Sequence, residues 1–175
     1  MLRPCRKSDF FEVYTVINAA AIAYRGVIPS DRWKEPYMPE NELKAEITAG
    51  VDFWCLEKEG SILGVMGIQD VRDVTLIRHA YTIPTMQRKG VGSELLRHLS
   101  SQTEKPLLIG TWAKAEWAVR FYQKHEFALV SEEEKNILLR KYWQIPARQV
   151  ETSVVLSNSP VKKLVAENKN DAAGT

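Results

Sequence analysis

Two glycines mark the most constrained turn of the 175-residue chain. Gly90 and Gly92 close the segment MQRKGVG, which lies between an apolar run that ends at Ile83 and a leucine-rich run that follows the second glycine. Glycine adopts positive φ and leaves no Cβ in the way of a ligand. The amides at the start of a helix bind anions, and the helix dipole favours this. The segment therefore predicts a strand, a tight turn and a helix, with an anion site at the turn.

Other phosphate-binding turns do not fit this segment. A dinucleotide fingerprint needs a third glycine where Leu95 stands, and a Walker A loop needs a lysine after the last glycine, whereas Lys89 precedes both. Arg88 and Lys89 add positive charge at the rim of the turn. On the glycines alone, a plain tight turn that caps a helix stays open as the alternative.

The spacing of apolar residues predicts the other elements. Helices are expected over residues 9–21, 40–49, 92–102 and 115–124, with a proline-rich loop over 24–39. Strands are expected over residues 2–6, in a hairpin joined around Gly60 and Ser61, over 75–83 and over 107–112. From Phe127 onward, the runs FALVSEEEKNILLRKYW and QVETSVVLS predict a hairpin with a charged or bulged centre and a last strand.

This order of elements predicts one α/β domain with parallel and antiparallel strand pairs. The domain is expected to cover residues 1–158. Residues 159–175 end in the polar, small-residue run AENKNDAAGT, which predicts a loosely ordered tail.

Composition narrows the function classes. The 24 Lys and Arg nearly balance the 22 Asp and Glu, which argues against nucleic-acid and membrane-surface partners. Cys5 and Cys55 match no zinc spacing, so we expect neither a disulfide nor a metal site. The N-terminal segment lacks the apolar core of a signal peptide, and no run approaches the ~18 apolar residues of a membrane span. A cytoplasmic protein is expected.

Three segments resemble the GNAT (GCN5-related) N-acetyltransferase superfamily. QRKGVG matches its Q/R-x-x-G-x-G/A turn, YTIP is similar to its Y-V-x-P strand end, and AVRFYQKHEF is similar to its A-x-x-F-Y-x-K-x-G-F segment. Two positions depart from the pattern. Ala115 stands where the family commonly has asparagine, and Glu126 stands where it has glycine, so a non-glycine residue has to make that turn.

The resemblance implies a largely antiparallel GNAT sheet flanked by about four helices. Its parallel strands, Thr75 to Ile83 and Leu107 to Trp112, would splay apart at the cofactor site. The implied activity is acyl-CoA-dependent N-acetylation, in which acetyl-CoA gives its acetyl group directly to an amine and leaves as coenzyme A. The implied cofactor-binding residues are Tyr81, Thr82, Ile83, Gln87, Arg88, Lys89, Gly90, Val91, Gly92, Ser93 and Tyr122.

The resemblance also assigns catalytic roles. It places the hydroxyl of Tyr122 near the cofactor sulfur, where a phenol can give a proton to the leaving thiolate as general acid. The two positions that commonly hold the base are Leu76 and Arg78, and neither can accept a proton from an amine. Asp73 and His79 are the remaining candidate bases. By strand alternation His79 is out of phase with Arg78, so a packed core histidine is the alternative.

The acceptor is expected to bind against the loop over residues 24–39. Trp33 and Tyr37 could hold a cationic amine by cation–π contact, with Asp31 or Glu35 supplying negative charge. Arg78 is the third expected substrate-binding residue. The alternative is that these aromatic side chains only clamp an irregular loop to the body of the protein.

Two other functions stay open at this point. The missing base at Leu76 and Arg78 favours a non-catalytic acyl-CoA-binding or regulatory module, whereas Tyr122 opposes it. A nucleic-acid binder that uses Arg88, Lys89 and nearby basic residues lacks any recognition motif. The expected partner is therefore a small-molecule or peptide amine, with no nucleic acid and no membrane, and a homodimer is left open.

Overall fold

The computed structural model describes residues 1–166, and contacts along the chain divide it into two compact units. The first unit is Met1–Lys105, and the second begins at Pro106. Each unit is built from antiparallel strands and helices, so the expected α/β class is confirmed. The single domain expected over residues 1–158 and the splayed parallel strand pair stay predictions.

The first unit contains four antiparallel strands in the order β1-β2-β3-β4. Glu59 and Gly60 turn the expected hairpin between β2 and β3 with φ of 53° and 78°, the left-handed angles that a two-residue hairpin turn needs. The strand bounds are β1 Leu2–Pro4, β2 Asp52–Lys58, β3 Ser61–Val71 and β4 Val74–Thr82.

Three α-helices pack on these strands: α1 Phe10–Ala21, α2 Glu40–Thr48 and α3 Val91–Ser100. Single 3-10 turns lie at Lys7–Asp9, Ile22–Tyr24 and Pro84–Met86. The helices bury one apolar face each, as their periodicity predicts; in α1 the buried residues are Val13, Val16, Ile17, Ala20 and Ala21.

A glycine on β3 lets α3 approach the strands closely. A Cβ added at Gly64 would lie 2.5 Å from Val91 Cγ1, far inside ordinary contact distance. Val91 is the first residue of α3, and Leu95, Leu96 and Leu99 continue its buried face. The absence of a side chain at Gly64 therefore sets where the first turn of α3 lies against β3.

The second unit has three antiparallel strands in the order β5-β7-β6. The strands are β5 Leu107–Trp112, β6 Ala128–Leu129 and β7 Ser153–Ser157. Its helices are α4 Glu116–Lys124, α5 Glu132–Tyr142, α6 Ala147–Glu151 and α7 Lys162–Ala166. The described residues therefore hold seven α-helices, more than the four expected.

The hairpin expected after Phe127 is wrong, because most of it is helix α5. Ser131 accepts a hydrogen bond from the amide of Glu134, and the Glu134 carboxylate accepts one from the Ser131 amide. This reciprocal capping box fixes the start of a helix. Leu138, Leu139 and Tyr142 then fall on one buried face at helical spacing.

The expected loose tail is also wrong in its first part. Val161 and Leu164 are buried, and α7 covers Lys162–Ala166. The Leu164 carbonyl accepts a hydrogen bond from Lys141 Nζ at 2.9 Å, which ties α7 to α5. Residues 167–175 lie outside the described residues. Across residues 1–166, no helix has both the length and the apolar composition that a membrane-crossing helix needs.

Candidate active site

The glycine turn joins the end of β4 to the start of α3. The strand continues past Thr82 through a hydrogen bond from the Ile83 amide to the Leu63 carbonyl at 3.0 Å, and a 3-10 turn follows. Gly90 then takes a left-handed φ of 85°, with open space where a Cβ would lie. Arg88 is left-handed as well, with φ of 62°. These two residues bring the helix start back to the end of the strand.

The turn has the electrostatics of an anion site. Gly90 is the N-cap of α3 and has no side chain to accept from the first helical amides. Such amides, together with the positive end of the helix dipole, attract negative charge. Arg88 and Lys89 are exposed beside them. The expected cofactor-binding residues 81–83 and 87–93 thus lie on one continuous stretch of the first unit.

A β-bulge interrupts β4 at His79 and Ala80, near the end of the strand. Gly67 of β3 pairs with Arg78, and Val65 pairs with Tyr81, so two residues of β4, His79 and Ala80, face one residue of β3. His79 has a left-handed φ of 52°. A bulge of this kind changes the direction of the side chains that follow it and breaks the alternation of the strand.

The bulge needs a glycine on the neighbouring strand. A Cβ at Gly67 would lie 2.6 Å from Val51 Cγ1 and 3.0 Å from the Arg78 carbonyl oxygen. A larger residue there would press on the backbone of β4 at the residue before His79. Gly67 therefore leaves the room in which β4 bulges.

Because of the bulge, two consecutive side chains of β4 contact the same carboxylate. Arg78 Nη2 lies 2.7 Å and His79 Nε2 lies 2.9 Å from Glu46 Oε2 on α2. The expectation that His79 is out of phase with Arg78 is wrong, since alternation fails at a left-handed residue. Arg78 Nη1 also donates to Gln69 Oε1 at 2.9 Å, and the side-chain nitrogen Nε2 of Gln69 donates to the Ala49 carbonyl at 3.0 Å.

The Glu46 carboxylate is held in its ionised form. Burial would raise its pKa, but the hydrogen bond from His79 and the positive charges of Arg78 and His79 outweigh burial and lower the pKa. The His79 ring stacks on Phe53, with 5.9 Å between ring centroids and 26° between planes. Its side chain is 15% exposed, so the ring is packed yet reaches the surface.

The other candidate bases lie elsewhere. Asp73 is exposed in the turn between β3 and β4, at the opposite end of β4 from the glycine turn. The nine residues of β4 at ~3.3 Å each put about 30 Å between the two ends. Leu76 is fully buried. The structure therefore places neither Asp73 nor Leu76 at the glycine turn.

The expected acceptor residues form a chain of aromatic contacts that ends on β4. Trp33 stacks on Tyr37 with 5.9 Å between centroids, and Tyr37 meets the Tyr81 ring edge-on at 6.3 Å. Tyr24 also meets the Tyr81 ring edge-on, with 6.2 Å between ring centroids. Trp33 Nε1 donates to Glu35 Oε1 at 3.2 Å. These contacts connect the loop to Tyr81, an expected cofactor-binding residue, and also suit a simple clamp.

Tyr122 lies in the second unit, on α4. It is 7% exposed, and its ring packs edge-on against Phe127 at 6.1 Å. Ala115 is the N-cap residue of α4, and Glu126 has a left-handed φ of 66° just after the helix end. Glu126 stands where the family pattern has glycine. It therefore makes the left-handed turn as a non-glycine residue.

Sequence comparison matches the central part of the chain to a family model. Residues 49–129 match the family model described as an acetyltransferase (GNAT) domain, and this range includes the bulge, the glycine turn and α4. This part of the chain is similar to GNAT acetyltransferase domains. A comparison with curated proteins finds no match.

Solved structures extend the GNAT likeness to most of the chain. A GNAT acetyltransferase from Staphylococcus aureus Mu50 is 13% identical with a TM-score of 0.66, covering 91% of this chain and 99% of its own. The PaiA N-acetyltransferase from Thermoplasma acidophilum, in complex with coenzyme A, is 13% identical with a TM-score of 0.68 and coverages of 91% and 98%. The ribosomal-protein-S18-alanine N-acetyltransferase from Escherichia coli is 15% identical, with a TM-score of 0.63 and coverages of 90% and 91%. These likenesses confirm the GNAT fold.

Sequence reasoning missed one charged residue next to the bulge of the GNAT domain. Glu46 lies in a helix that the sequence predicts correctly, but nothing in the sequence pairs it with a residue 33 positions away. Gly67, an isolated glycine inside a strand run, was the available signal for the bulge. A bulge in β4 opposite Gly67 would have placed the side chains of Arg78 and His79 on the same side of the strand.

Proposed function

We propose that the chain is an acyl-CoA-dependent N-acetyltransferase that moves the acetyl group of acetyl-CoA directly to an amine of a small molecule, peptide or protein. The observation that carries the proposal is the left-handed glycine turn at the start of α3, inside the range that matches a GNAT domain. Two structural neighbours support it, since one is a coenzyme A complex and the other is named for an alanine acceptor.

The cosubstrate binds through main-chain groups at the glycine turn. Amides at the start of α3, from Gly90 to Ser93, meet the pyrophosphate, as at other helix N-termini that bind phosphate. Arg88 and Lys89 add attraction at the rim, where they are exposed. Residues Tyr81 to Ile83 line the pantetheine arm, because they lead from the bulge of β4 to the turn.

The reaction needs a base for the ammonium, a polarised thioester and an acid for the thiolate. His79 accepts one proton from the acceptor ammonium, and the free amine nitrogen attacks the thioester carbonyl carbon. The new C–N bond forms, the C–S bond breaks, and Tyr122 gives a proton to the departing sulfur. The nitrogen loses two protons in total. Coenzyme A gains one proton, and the other is released.

Direct transfer without an acyl-enzyme fits the chemistry of the two cysteines. Burial raises the pKa of the Cys5 thiol, and the neighbouring Cys55 raises it further. Burial also raises the pKa of Cys55. A thiol that stays protonated is a poor nucleophile, so neither cysteine is prepared to take the acetyl group.

The acceptor binds beside the aromatic chain of the 24–39 loop. Trp33 and Tyr37 offer ring faces and edges to a cationic amine, and Glu35 is within reach of the Trp33 indole. Arg78 is also a residue of β4, and Glu46 and Gln69 already bind its guanidinium. Arg78 therefore contributes to acceptor binding mainly by fixing Glu46 and β4.

The alternative is a non-catalytic acyl-CoA-binding or regulatory module. The side chains at the two common base positions favour it, because Leu76 is fully buried and the guanidinium of Arg78 is tied to Glu46. His79 opposes it, since its imidazole is partly exposed and next to the bulge.

Two measurements on the purified chain test the proposal. Calorimetry with acetyl-CoA is expected to show binding, and thiol release in a panel of alkyl amines, amino acids and peptides with free N-termini or lysines is expected to reveal an acceptor. Mass spectrometry of the product then locates the acetyl group. Binding without transfer to any acceptor would favour the alternative, and no binding of acetyl-CoA would refute both functions. A salt titration of nucleic-acid binding tests the basic rim separately.

A further inference from the structure

The contact between α2 and the bulge of β4 determines which nitrogen of His79 carries a proton. His79 Nε2 lies 2.9 Å from Glu46 Oε2, within hydrogen-bond distance. An ionised carboxylate only accepts hydrogen bonds. Nε2 must therefore be the donor, and in the neutral imidazole the unprotonated nitrogen with its lone pair is Nδ1.

The carboxylate that sets this tautomer is itself fixed. Arg78 Nη2 donates to the same oxygen of Glu46 at 2.7 Å, and the guanidinium is anchored on its other side by Gln69. Gln69 also donates to the Ala49 carbonyl just beyond the last turn of α2. The helix that carries Glu46 and the strand that carries His79 are therefore joined by a continuous set of hydrogen bonds.

The His79 ring has little freedom to turn away. Its backbone is left-handed, the ring stacks on Phe53, and its side chain is 15% exposed. A ring that is packed on one face and hydrogen-bonded at one nitrogen keeps its other nitrogen in a defined direction. The arrangement resembles the way a carboxylate orients a histidine base in enzymes that transfer protons.

We propose that Glu46 is a positioning residue: it holds His79 in the tautomer with the proton on Nε2, so that Nδ1 accepts the proton of the acceptor ammonium. This inference rests on the proposed function. It adds a residue on α2 to the proposed reaction, and it gives the Glu46–Arg78–His79 contact a role beyond the stability of the fold.

Within residues 1–166, the groups that face His79 are few. The charged group on α2 is Glu46. The charged group on β4 is Arg78, which contacts the same carboxylate oxygen of Glu46 as the His79 ring. β2 contributes the uncharged Phe53 ring, and Gly67 of β3 pairs with Arg78, the residue before His79. Glu46 is therefore the group that accepts the hydrogen bond from His79 Nε2.

The tautomer can be read directly in the wild-type chain. Long-range ¹H–¹⁵N correlation spectra of the imidazole rings report which nitrogen carries the proton, and a His79→Asn variant assigns the His79 signals. We expect the proton on Nε2 at a pH where the ring is neutral. A neutral His79 with its proton on Nδ1 would overturn the inference, whatever the activity of the enzyme.

The second arm compares two variants of α2 that each lose one negative charge. Glu46→Gln should lower kcat for transfer by about tenfold or more and add a population of neutral His79 with the proton on Nδ1, because an amide, unlike a carboxylate, can donate a hydrogen bond to Nε2. Glu40→Gln is the matched control, since Glu40 is exposed and pairs with Lys44 of its own helix at 3.6 Å. It should move neither quantity.

The outcomes separate this inference from the proposed function. Normal transfer together with the wild-type tautomer of His79 in Glu46→Gln would overturn the role of Glu46 alone. Absence of transfer in the wild-type chain with every acceptor would overturn the proposed function, and with it the catalytic use of His79. If Glu46→Gln fails to fold, the wild-type tautomer still decides the question.

Discussion

His79 Nε2 lies 2.9 Å from Glu46 Oε2, although strand alternation would point His79 away from Arg78, the other partner of that carboxylate. The reason is a single left-handed residue, His79 itself, at a bulge that Gly67 permits. A side chain that alternation would send to the opposite face is thereby placed beside the one that precedes it. The bulge thus brings two neighbours in sequence, Arg78 and His79, to the one carboxylate of Glu46.

The first prediction concerns the glycine turn. Gly90→Ala should lower the affinity for acetyl-CoA by about tenfold or more, which corresponds to roughly 1.4 kcal/mol. The added Cβ meets no protein atom within 4 Å, so it would stand in open space where the cosubstrate is expected. Calorimetry with acetyl-CoA measures the change.

Gly50→Ala is the matched control for backbone strain. Gly50 also has positive φ, 98°, and open space around its missing Cβ, but it lies just after α2. Both variants should lose about 1–2 kcal/mol of unfolding free energy, because both force alanine into a left-handed conformation. Equal acetyl-CoA affinity in the two variants would remove the phosphate site from this turn.

The second prediction concerns the departure at Glu126. Its left-handed φ of 66° follows the end of α4, where glycine is the favoured residue. Glu126→Gly should raise the free energy of unfolding by about 0.5–1 kcal/mol, measured by urea denaturation. Glu133→Gly, inside α5, should instead lower it by about 1 kcal/mol. A loss of stability in Glu126→Gly would mean that the Glu126 side chain contributes more than the strain costs.

The sequence predicts the elements that local signals define. The strands, the β2–β3 hairpin and the glycine turn follow from alternation, from glycines and from the proline at residue 84. Helix α5 was predictable too, because Ser131 and Glu134 form a capping box, but the apolar run ILL in its middle suits a strand equally well. A correct prediction of helix over strand required giving the capping box more weight than the β-forming residues.

The candidate site was only partly predictable for a different reason. Residues 87–93 are contiguous, so their spacing alone defines the turn. Glu46 and His79 are brought together by tertiary packing of α2 on a bulged strand, and no local pattern records that contact. The aromatic contacts of Trp33 and Tyr37 likewise depend on the path of a loop that has no periodicity.

The third prediction decides between the two roles of the loop aromatics. If Trp33 lines the acceptor site, Trp33→Leu should raise the KM for the acceptor and leave acetyl-CoA affinity unchanged. If it only clamps the loop through Tyr37, the variant should lose thermal stability and both affinities together. Trp117→Leu is the control, because Trp117 is also exposed, at 41%, but lies on α4 outside the loop.

The last prediction concerns the proton that coenzyme A takes when it leaves. Tyr122→Phe keeps the ring, which packs against Phe127, and removes only the hydroxyl that the family resemblance places beside the cofactor sulfur. Acetyl-CoA affinity should hardly change, whereas kcat should fall by about 10²-fold to 10⁴-fold, as for the loss of a general acid. The alkaline limb of the kcat profile should weaken as well, because that limb reports the deprotonation of the acid.

Tyr142→Phe separates catalysis from packing in this experiment. Tyr142 is a second tyrosine of the same unit and is buried to a similar degree, 5% exposed against 7% for Tyr122. Both variants lose one buried hydroxyl, so their unfolding free energies should fall by similar amounts, about 0.5–1.5 kcal/mol each. Only Tyr122→Phe should lose kcat. If single-turnover measurements show that chemistry limits the rate and Tyr122→Phe still has wild-type kcat, Tyr122 is not the acid, and water must deliver the proton to the thiolate.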